Sequence, residues 1–459
     1  MTAVGTAPTV RSSRTAVKQA SAPAARLPFY ALMFFTFVVL IAPQGLVPAL
    51  APLHLALVAA TVAALAHVAD RMSRGRPLTV MEPEVVLALL LFGLGILSVP
   101  TSYWPRGSVQ TLLTLLGKSL ILLLLLANIL VTAERLRTML WLLTLASTVP
   151  ALAVVKDYLE GDLVRGRVSG YLSALTSNPN DMALTLNIIL PLAVGLALAS
   201  RSRGQRLALG AVIALGVAGV VVTFSRAGFL FLTTTLFLYL ARLKRGRIGI
   251  LLLVLLLVVL MLNVDGFIDR IQTIADVQTE SSAHARWETM KGAIRLMVQY
   301  PLFGVGIGQN MLALNEAGGP RWSLIHNVYL QIAVDLGIPA LVVYLLLFHR
   351  TLRSVVQARR VWRARDVDLS HLAQGLEISL IGFAVAAMFY PVAYHLFFFY
   401  LAGLAVAVKR LCREQVSPVP AASAPSPARA GRRRHEVRLD RNASGRTSSL
   451  VLFDGPGRR

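Results

Sequence analysis

The sequence predicts an all-α integral membrane protein with about twelve transmembrane helices, and three observations support this fold class. Hydrophobic residues make up 56% of the 459 residues and the mean hydropathy is +0.67, whereas soluble domains are about 45–50% apolar. Apolar runs of about twenty residues recur along the chain, and that length crosses a hydrocarbon core as a helix. Basic residues concentrate in alternate connectors, as the positive-inside rule requires.

The apolar runs define the predicted spans, with a long polar segment between the ninth and the tenth. We place the spans at residues 28–45, 47–69, 84–100, 109–131, 136–155, 181–200, 206–223, 226–242, 247–265, 326–348, 373–393 and 395–411. The segment 267–325 has helical periodicity and aromatic residues. Because long ordered loops between packed elements are usually functional, we expect a helical, functional loop here.

The charges of the connectors predict the topology. Connectors predicted to be cytoplasmic are rich in arginine, as in Arg71, Arg74 and Arg76, or in Arg201, Arg203 and Arg206. A further basic connector is expected after the tenth span, from Arg350 to Arg365, whereas 267–325 holds about as many acids as bases. Both termini are therefore predicted to face the cytoplasm, and the long loop the outside.

Three regions follow from this topology. Residues 1–27 form a basic cytoplasmic N-terminal tail, and residues 28–411 form a polytopic membrane domain that includes the catalytic loop 267–325 on the periplasmic side. Residues 412–459 are rich in Pro, Ala, Ser and Arg and are expected to be a disordered, basic cytoplasmic tail.

Composition also argues against several classes of function. The net charge is +23, but a nucleic-acid reader would gather that charge on one soluble domain, so no nucleic-acid partner is expected. The single cysteine, Cys412, excludes an intrachain disulfide. The eight histidines are scattered without ligand spacing, so neither a metal site nor a cofactor is expected.

Arg226 is the first candidate for chemistry. It lies in TFSRAGFL, where one predicted span ends and the next begins at the outer face. The connector is almost absent, so Arg226 is expected close to hydrocarbon with a partner. A guanidinium there suits a phosphate, because its planar fork donates two hydrogen bonds to neighbouring oxygens. The alternative is an interfacial anchor that reaches towards the headgroups.

Arg286 opens a segment whose apolar residues recur at helical spacing: Trp287, Met290, Ile294 and Met297. The pattern predicts an amphipathic helix on the outer leaflet. A cap at Ser281 or Ser282 would place Arg286 near the first turn, where the helix dipole favours an anion. The alternative is that Arg286 covers the surface of an interfacial helix.

His326 stands where the chain re-enters the membrane. A histidine there could be a polar cap, or it could accept a proton near neutral pH. On the same helix Asn327, Gln331 and Asp335 recur every fourth residue. An acid inside a span is costly without a partner, and Lys118 in the fourth span is the expected partner of Asp335.

Two turn motifs complete the candidates. The glycines of PLFGVGIGQN are expected to form a tight turn back towards the membrane. In SNPND, Asp181 is expected to cap the sixth span, while Asn178 and Asn180 could contact a sugar or serve only the turn.

Together these motifs resemble the O-antigen ligase and polysaccharide polymerase superfamily. The order is TFSRAG, then an arginine-containing amphipathic helix leading into PLFGVGIG, then HNVYLQIAVDLG, and His326 and Gly337 fit the spacing typical of the family. SNPNDMALTLNIILPLA is also similar to the sixth-span region of these proteins. Met290 stands where leucine is typical, a substitution that keeps the shape and apolar character.

The resemblance implies a GT-C-like, metal-independent membrane glycosyltransferase at the outer face of the bacterial inner membrane. Its donor would be an undecaprenyl pyrophosphate-linked glycan, and its acceptor a glycolipid, a glycan or a protein. His326 would be the catalytic base, Arg226 and Arg286 would bind the diphosphate, and Asn178, Asn180 and Asn327 would contact glycan or be structural. A chain-extending polymerase and a lipid-linked glycan flippase remain alternatives.

Overall fold

The structure is a computed structural model that describes residues 25–164, 167–173, 175–242, 277–318 and 322–416, with the side chains of 277–286 left out. All the regular elements in these ranges are helical, apart from one isolated bridge between Val164 and Arg167. The predicted tails and the predicted ninth span, 247–265, lie outside the described residues or almost entirely so.

The helices are α1 (Arg26–Ile41), α2 (Pro43–Leu46), α3 (Leu55–Ser73), α4 (Pro83–Leu97), α5 (Pro105–Thr111), α6 (Lys118–Ile129), α7 (Ala133–Ala146), α8 (Thr148–Glu160), α9 (Pro179–Ala199), α10 (Arg203–Val222), α11 (Arg226–Ala241), α12 (Val277–Gln299), α13 (Asn310–Glu316), α14 (Val328–Leu336), α15 (Ile338–Arg365), α16 (Val367–Ala386) and α17 (Leu396–Val416). A 3₁₀ helix, Pro48–Leu53, precedes α3, and a π-helical turn, Leu112–Gly117, joins α5 to α6.

The predicted spans that fall on described residues each overlap a helix. Among the described residues, seven helical stretches are long and apolar enough to cross a membrane, and α1, α4 and α11 are shorter apolar helices. The described part of the chain therefore has the helices of an integral membrane protein, and the count of twelve spans stays a prediction.

Three predicted boundaries differ from the structure. The tenth predicted span, 326–348, divides at Gly337, whose φ of 87° ends α14 and begins α15. The arginine-rich stretch after residue 348 was predicted as a connector, but α15 continues to Arg365. Val355, Ala358 and Trp362 are buried at helical spacing on that extension, so apolar packing continues the helix although its exposed face is charged. At the other end of the chain, α17 continues to Val416, past the predicted limit at 411.

The centre of the bundle is a close crossing of α9 and α16. A Cβ on Gly195 would stand 2.7 Å from the carbonyl oxygen of His371, and a Cβ on Gly375 would stand 2.5 Å from that of Pro191. Because glycine has no side chain, the two backbones approach closely there, as small residues allow in membrane helix pairs. The hydroxyl of Ser379 donates to the Ile188 carbonyl across the same crossing, at 2.8 Å.

The segment PLFGVGIGQN packs against α14 as the predicted tight turn. Gly304, Gly306 and Gly308 have φ of 67°, 100° and 76°, which L side chains rarely adopt. The amides of Val305 and Gly306 donate to the carbonyls of Val334 and Asp335, at 2.9 and 3.0 Å. A Cβ on Gly304 would overlap the backbone of Asp335, so the contact requires glycine.

The expected pairing of Asp335 with Lys118 is wrong. Asp335 is fully buried, and its carboxylate accepts from the backbone and side-chain nitrogens of Asn310 and from the Tyr394 hydroxyl, at 2.9 to 3.1 Å. Lys118 is exposed and has no ion pair with a described residue. Neutral hydrogen-bond donors therefore take the place of the expected cation.

Other buried acids are paired with cations, at the end of the bundle where α15 ends and α16 begins. Glu377 forms an ion pair with Arg242 at 2.7 Å and a second one with Arg359. Glu84 receives Lys409 at 2.8 Å. These pairs join helices that are distant in sequence, and because each charge is compensated they can be buried.

The two environments of Asp335 and Lys118 give a testable difference in stability. Asp335→Leu would leave several buried donors without an acceptor, and we expect it to lower the free energy of unfolding by about 3 kcal/mol or more. Lys118→Leu should not lower it, because Lys118 has no ion pair with a described residue that the substitution could remove. Unfolding titrations in mixed detergent micelles measure both. A double variant that loses less stability than Asp335→Leu and Lys118→Leu lose in sum would show that the two residues form a pair. The same would follow if Lys118→Leu were as destabilising as Asp335→Leu.

Candidate active site

The turn that carries Arg226 is held by polar contacts from distant parts of the chain. Phe224 has a left-handed φ of 49°, and Ser225 caps α11 by accepting from the Gly228 amide at 3.3 Å. Arg226 is the first residue of α11 and is exposed. The predicted partner for its guanidinium is not found among the described residues, so the charge is presented at the start of a helix, where backbone N–H groups also favour an anion.

Arg167 fixes this turn from a preceding loop. Its guanidinium donates twice to the carbonyl of Thr223, at 2.9 and 3.1 Å, and once to Oδ1 of Asn180, at 3.1 Å. The hydroxyl of Ser225 donates to the same Asn180 oxygen at 3.0 Å. Asn180 therefore joins the start of α9 to the start of α11.

The cap of α9 differs from the prediction. Asn178, and not Asp181, caps the helix, because its side-chain oxygen accepts from the amides of Asn180 and Asp181 at 3.0 Å. Asp181 lies inside the first turn and accepts from the Asn178 amide group at 2.5 Å. Asn178 and Asn180 thus both have structural roles, and their contact with glycan stays a prediction.

The loop between α16 and α17 joins this turn to the helix that follows His326. The hydroxyls of Tyr390 and Ser225 lie 3.3 Å apart. The Ala387 carbonyl accepts from the Val328 amide at 2.8 Å. Ala387 and Tyr390 are three residues apart, at most about 11 Å between Cα atoms. Arg226 and His326 therefore lie at the same end of the bundle, on either side of this short loop.

His326 has a defined tautomer in this arrangement. It is half-buried, and its Nδ1 lies 2.9 Å from the carbonyl oxygen of Leu324. A carbonyl oxygen can only accept, so Nδ1 carries the proton. In the neutral ring Nε2 then holds the lone pair, the atom that accepts a proton in acid–base chemistry. The neighbour Asn327 caps α14 by accepting from the Leu330 amide at 3.0 Å, so its observed role is structural.

The position predicted for Arg286 at a helix start is wrong. Helix α12 already includes Val277, so Arg286 lies in the third turn and neither Ser281 nor Ser282 is its cap. No helix breaker stands between Val277 and these serines, so the helix begins earlier. The side chain of Arg286 lies outside the described part of the chain.

Helix α12 nevertheless lies beside the His326 segment. The hydroxyls of Thr289 and Ser323 are 2.9 Å apart. Thr289 lies three positions after Arg286, and Ser323 lies three positions before His326. Ala293 and Leu296 of α12 pack in one cluster with Val334 of α14. Two residues of the predicted apolar stripe face outward, since Trp287 is 54% and Ile294 44% exposed, as on a helix that lies on a lipid surface, whereas Met297 packs against this cluster.

Sequence reasoning missed three residues of this region: Arg167, Tyr390 and His395. Arg167 binds a carbonyl and an amide, partners that leave no charge pattern in the sequence. His395 ends the loop that holds Tyr390, and the carboxylate of Asp181 lies nearby. Among the described residues, no group of three or more His, Cys, Asp or Glu could hold a metal ion.

Comparisons with known proteins agree with the motifs. Residues 210–345 match the family model described as O-antigen ligase, and this segment contains Arg226, Arg286 and His326. The match confirms the resemblance to the O-antigen ligase superfamily that was predicted from the sequence. No curated protein sequence matches the chain.

One solved structure is similar at a lower level. It is described as "Structural coordination of polymerization and crosslinking by a peptidoglycan synthase complex". The matched chain has 17% sequence identity and a TM-score of 0.44, and the alignment covers 73% of this chain and 98% of that one.

The network around Arg167 predicts a measurable loss of stability. Arg167→Met removes a bidentate donor from the buried turn at Thr223, and we expect the free energy of unfolding to fall by about 1–3 kcal/mol. Arg203→Met, at an exposed arginine that begins α10, is the matched control and should change it by less than about 0.5 kcal/mol. Equal effects of the two substitutions in detergent unfolding titrations would contradict a specific role for Arg167.

Proposed function

We propose that the chain is a membrane glycosyltransferase that transfers a glycan from undecaprenyl pyrophosphate to an acceptor hydroxyl at the outer face of the bacterial inner membrane. The observation that carries the proposal is the hydrogen bond from His326 Nδ1 to Leu324, because it makes Nε2 the basic atom. Arg226, at the same end of the bundle, supplies an exposed cation at a helix start.

The donor, the acceptor and His326 account for every bond and proton of the proposed reaction. The acceptor oxygen attacks the anomeric carbon of the donor sugar, and the bond from that carbon to the pyrophosphate oxygen breaks. The hydroxyl proton moves to Nε2 of His326 as the new glycosidic bond forms. The products are the glycosylated acceptor and undecaprenyl pyrophosphate.

The arginines act on the leaving group. Breaking the glycosyl–phosphate bond builds negative charge on the pyrophosphate, and fixed cations that are already oriented stabilise it without reorganisation. Arg226 and Arg286 are proposed for this role because a guanidinium matches two phosphate oxygens at once. The contact between Thr289 and Ser323 supports bringing Arg286 towards His326.

The proposed orientation follows from the charges. The ends of α15, α3 and α7 that carry the arginine-rich connectors would face the cytoplasm, and the His326 end would face out. An outer site matches a polyprenyl-linked donor, whose lipid stays in the bilayer while its glycan is outside.

Reconstitution tests the function directly. Purified protein would be mixed in detergent with an undecaprenyl pyrophosphate glycan and a panel of glycolipid, glycan and protein acceptors, with no gradient present. We expect glycan to become attached to one acceptor class. Lengthening of the donor-linked glycan would instead identify a polymerase, and movement of donor across liposomes without transfer would identify a flippase.

Replacing the proposed base gives a quantitative prediction. His326→Ala should lower the transfer rate by about 10²- to 10⁴-fold, since Nε2 is the proposed proton acceptor. His349→Ala, at an exposed histidine on α15, is the control and should transfer at the wild-type rate. Both variants should elute and melt as the wild type does. A His326→Ala that transfers at nearly the wild-type rate would refute the assignment.

A further inference from the structure

The helical stretch from Pro105 to Ile129 presents a polar stripe on the surface of the bundle. Arg106, Gln110, Thr114 and Lys118 recur every fourth residue, and all four are exposed. The Thr114 hydroxyl donates to the Gln110 carbonyl at 2.7 Å, so that side chain is turned back along the stripe. We call these four residues the polar stripe.

The π-helical turn keeps the polar stripe in line. In an α-helix, residues four apart are rotated by about 40° from one another, because a turn takes 3.6 residues. Such a row therefore winds around the helix. Leu112–Gly117 forms a wider π turn between Gln110 and Lys118, and the wider turn opposes that rotation. All four side chains thus remain on one exposed face.

An apolar ridge runs beside the polar stripe. Val109, Leu113 and Ile121 are 42%, 59% and 47% exposed, and Gly117 continues their four-residue spacing. Two neighbouring rows of this spacing form a ridge and a groove, the surface into which another helix packs.

The opposite face of the same stretch is fixed in the bundle. Ser108 donates to the Ile307 carbonyl at 3.0 Å, and Ser119 donates to the Tyr394 carbonyl at 2.8 Å. Leu112 and Leu116 are buried between them. The helix therefore cannot roll to bury the polar stripe without breaking these contacts.

Lys118 lies deep in the predicted membrane. It is thirteen residues after Pro105 and eleven before Ile129, about 20 Å and 16 Å along the helix axis. Its stem of four methylenes is too short to bring the ammonium group to the headgroups from either distance. A charge at that depth is costly unless a second protein group compensates it.

The described part of this chain does not supply that group. Its buried span acids are already engaged: Asp335 by Asn310 and Tyr394, Glu377 by arginines, and Glu84 by Lys409. A second copy would therefore bring no exposed carboxylate from these ranges to the same depth. A carboxylate at the same depth on a different protein would complement the charge of Lys118.

We propose that the polar stripe and its apolar ridge are the docking face for a transmembrane helix of another membrane protein, one that carries a carboxylate near the bilayer centre. The carboxylate pairs with Lys118, and polar groups of the partner contact Thr114 and Gln110 nearer the outer surface. This proposal is independent of the glycosyl transfer proposed above.

A defined peptide tests the docking face. Full-length protein in phosphatidylcholine liposomes would carry a donor dye on an N-terminal tag, and a Leu–Ala transmembrane peptide with one central Glu would carry the acceptor dye. The matched peptide has Gln in place of Glu. We expect the Glu peptide to associate about three- to tenfold more tightly, the range for a polar contact between helices in a membrane.

Substitutions of Lys118 show whether its charge causes the preference for the Glu peptide. Lys118→Leu should abolish the preference, and Lys118→Glu should reverse it in favour of a peptide with a central Lys. Lys156→Leu is the matched control, because Lys156 is already paired with Glu160 at 3.1 Å, and it should keep the preference for Glu.

Three results would overturn the proposal. Equal binding of the Glu and Gln peptides to the wild type would exclude charge recognition at this face. A preference for the Glu peptide that survives in Lys118→Leu would show that another residue causes it. Energy transfer between two copies without peptide, lost in Lys118→Leu, would make the face a contact between copies of this chain.

Discussion

The buried carboxylate of Asp335 joins the three segments on which the candidate site depends. Asn310 follows the glycine turn that leaves α12, Tyr394 belongs to the loop that also contacts Ser225, and Asp335 itself lies on the helix that follows His326. Because a buried carboxylate must be satisfied, these donors cannot separate without a large loss of free energy. The side chain of Asp335 therefore fixes the relative positions of the three segments that carry Arg286, His326 and Arg226.

The rest of the site is held by hydrogen bonds to uncharged oxygen acceptors of the backbone and of Asn180. Arg167 binds the Thr223 carbonyl, Asn180 accepts from Ser225, and His326 is oriented by the Leu324 carbonyl. These hydrogen bonds fix the positions of the turn and of the His326 ring. Arg226, in contrast, stays exposed at the start of α11. This division suits a site that must stabilise charge appearing only during reaction, since the cation is not neutralised beforehand. At the opposite end, Glu377 and Glu84 are paired with cations of their own chain.

The fold class and the motifs that form this end of the bundle could be predicted from the sequence, because hydropathy and the order of short motifs are local signals. The glycine turn followed from three glycines within five residues. The partner of Asp335 could not be predicted, since Asn310 and Tyr394 carry no charge to suggest a pairing. The start of α12 was missed because nothing before Ser281 interrupts the helix, and the length of α15 was hidden by arginines on its exposed face. Arg167 was missed because its partners are a carbonyl and an amide.

In the proposed orientation, the turn before α9 and the segment before α14 open on the outer side of the membrane. Labelling with a membrane-impermeant maleimide tests this in intact cells, in a background where the single cysteine is removed by Cys412→Ala. Ser177→Cys and Leu324→Cys, both at exposed positions, should be labelled without permeabilisation, whereas Arg363→Cys on α15 should require it. Labelling of Ser177→Cys and Leu324→Cys from opposite sides, or of both only after permeabilisation, would contradict a single outward-facing site.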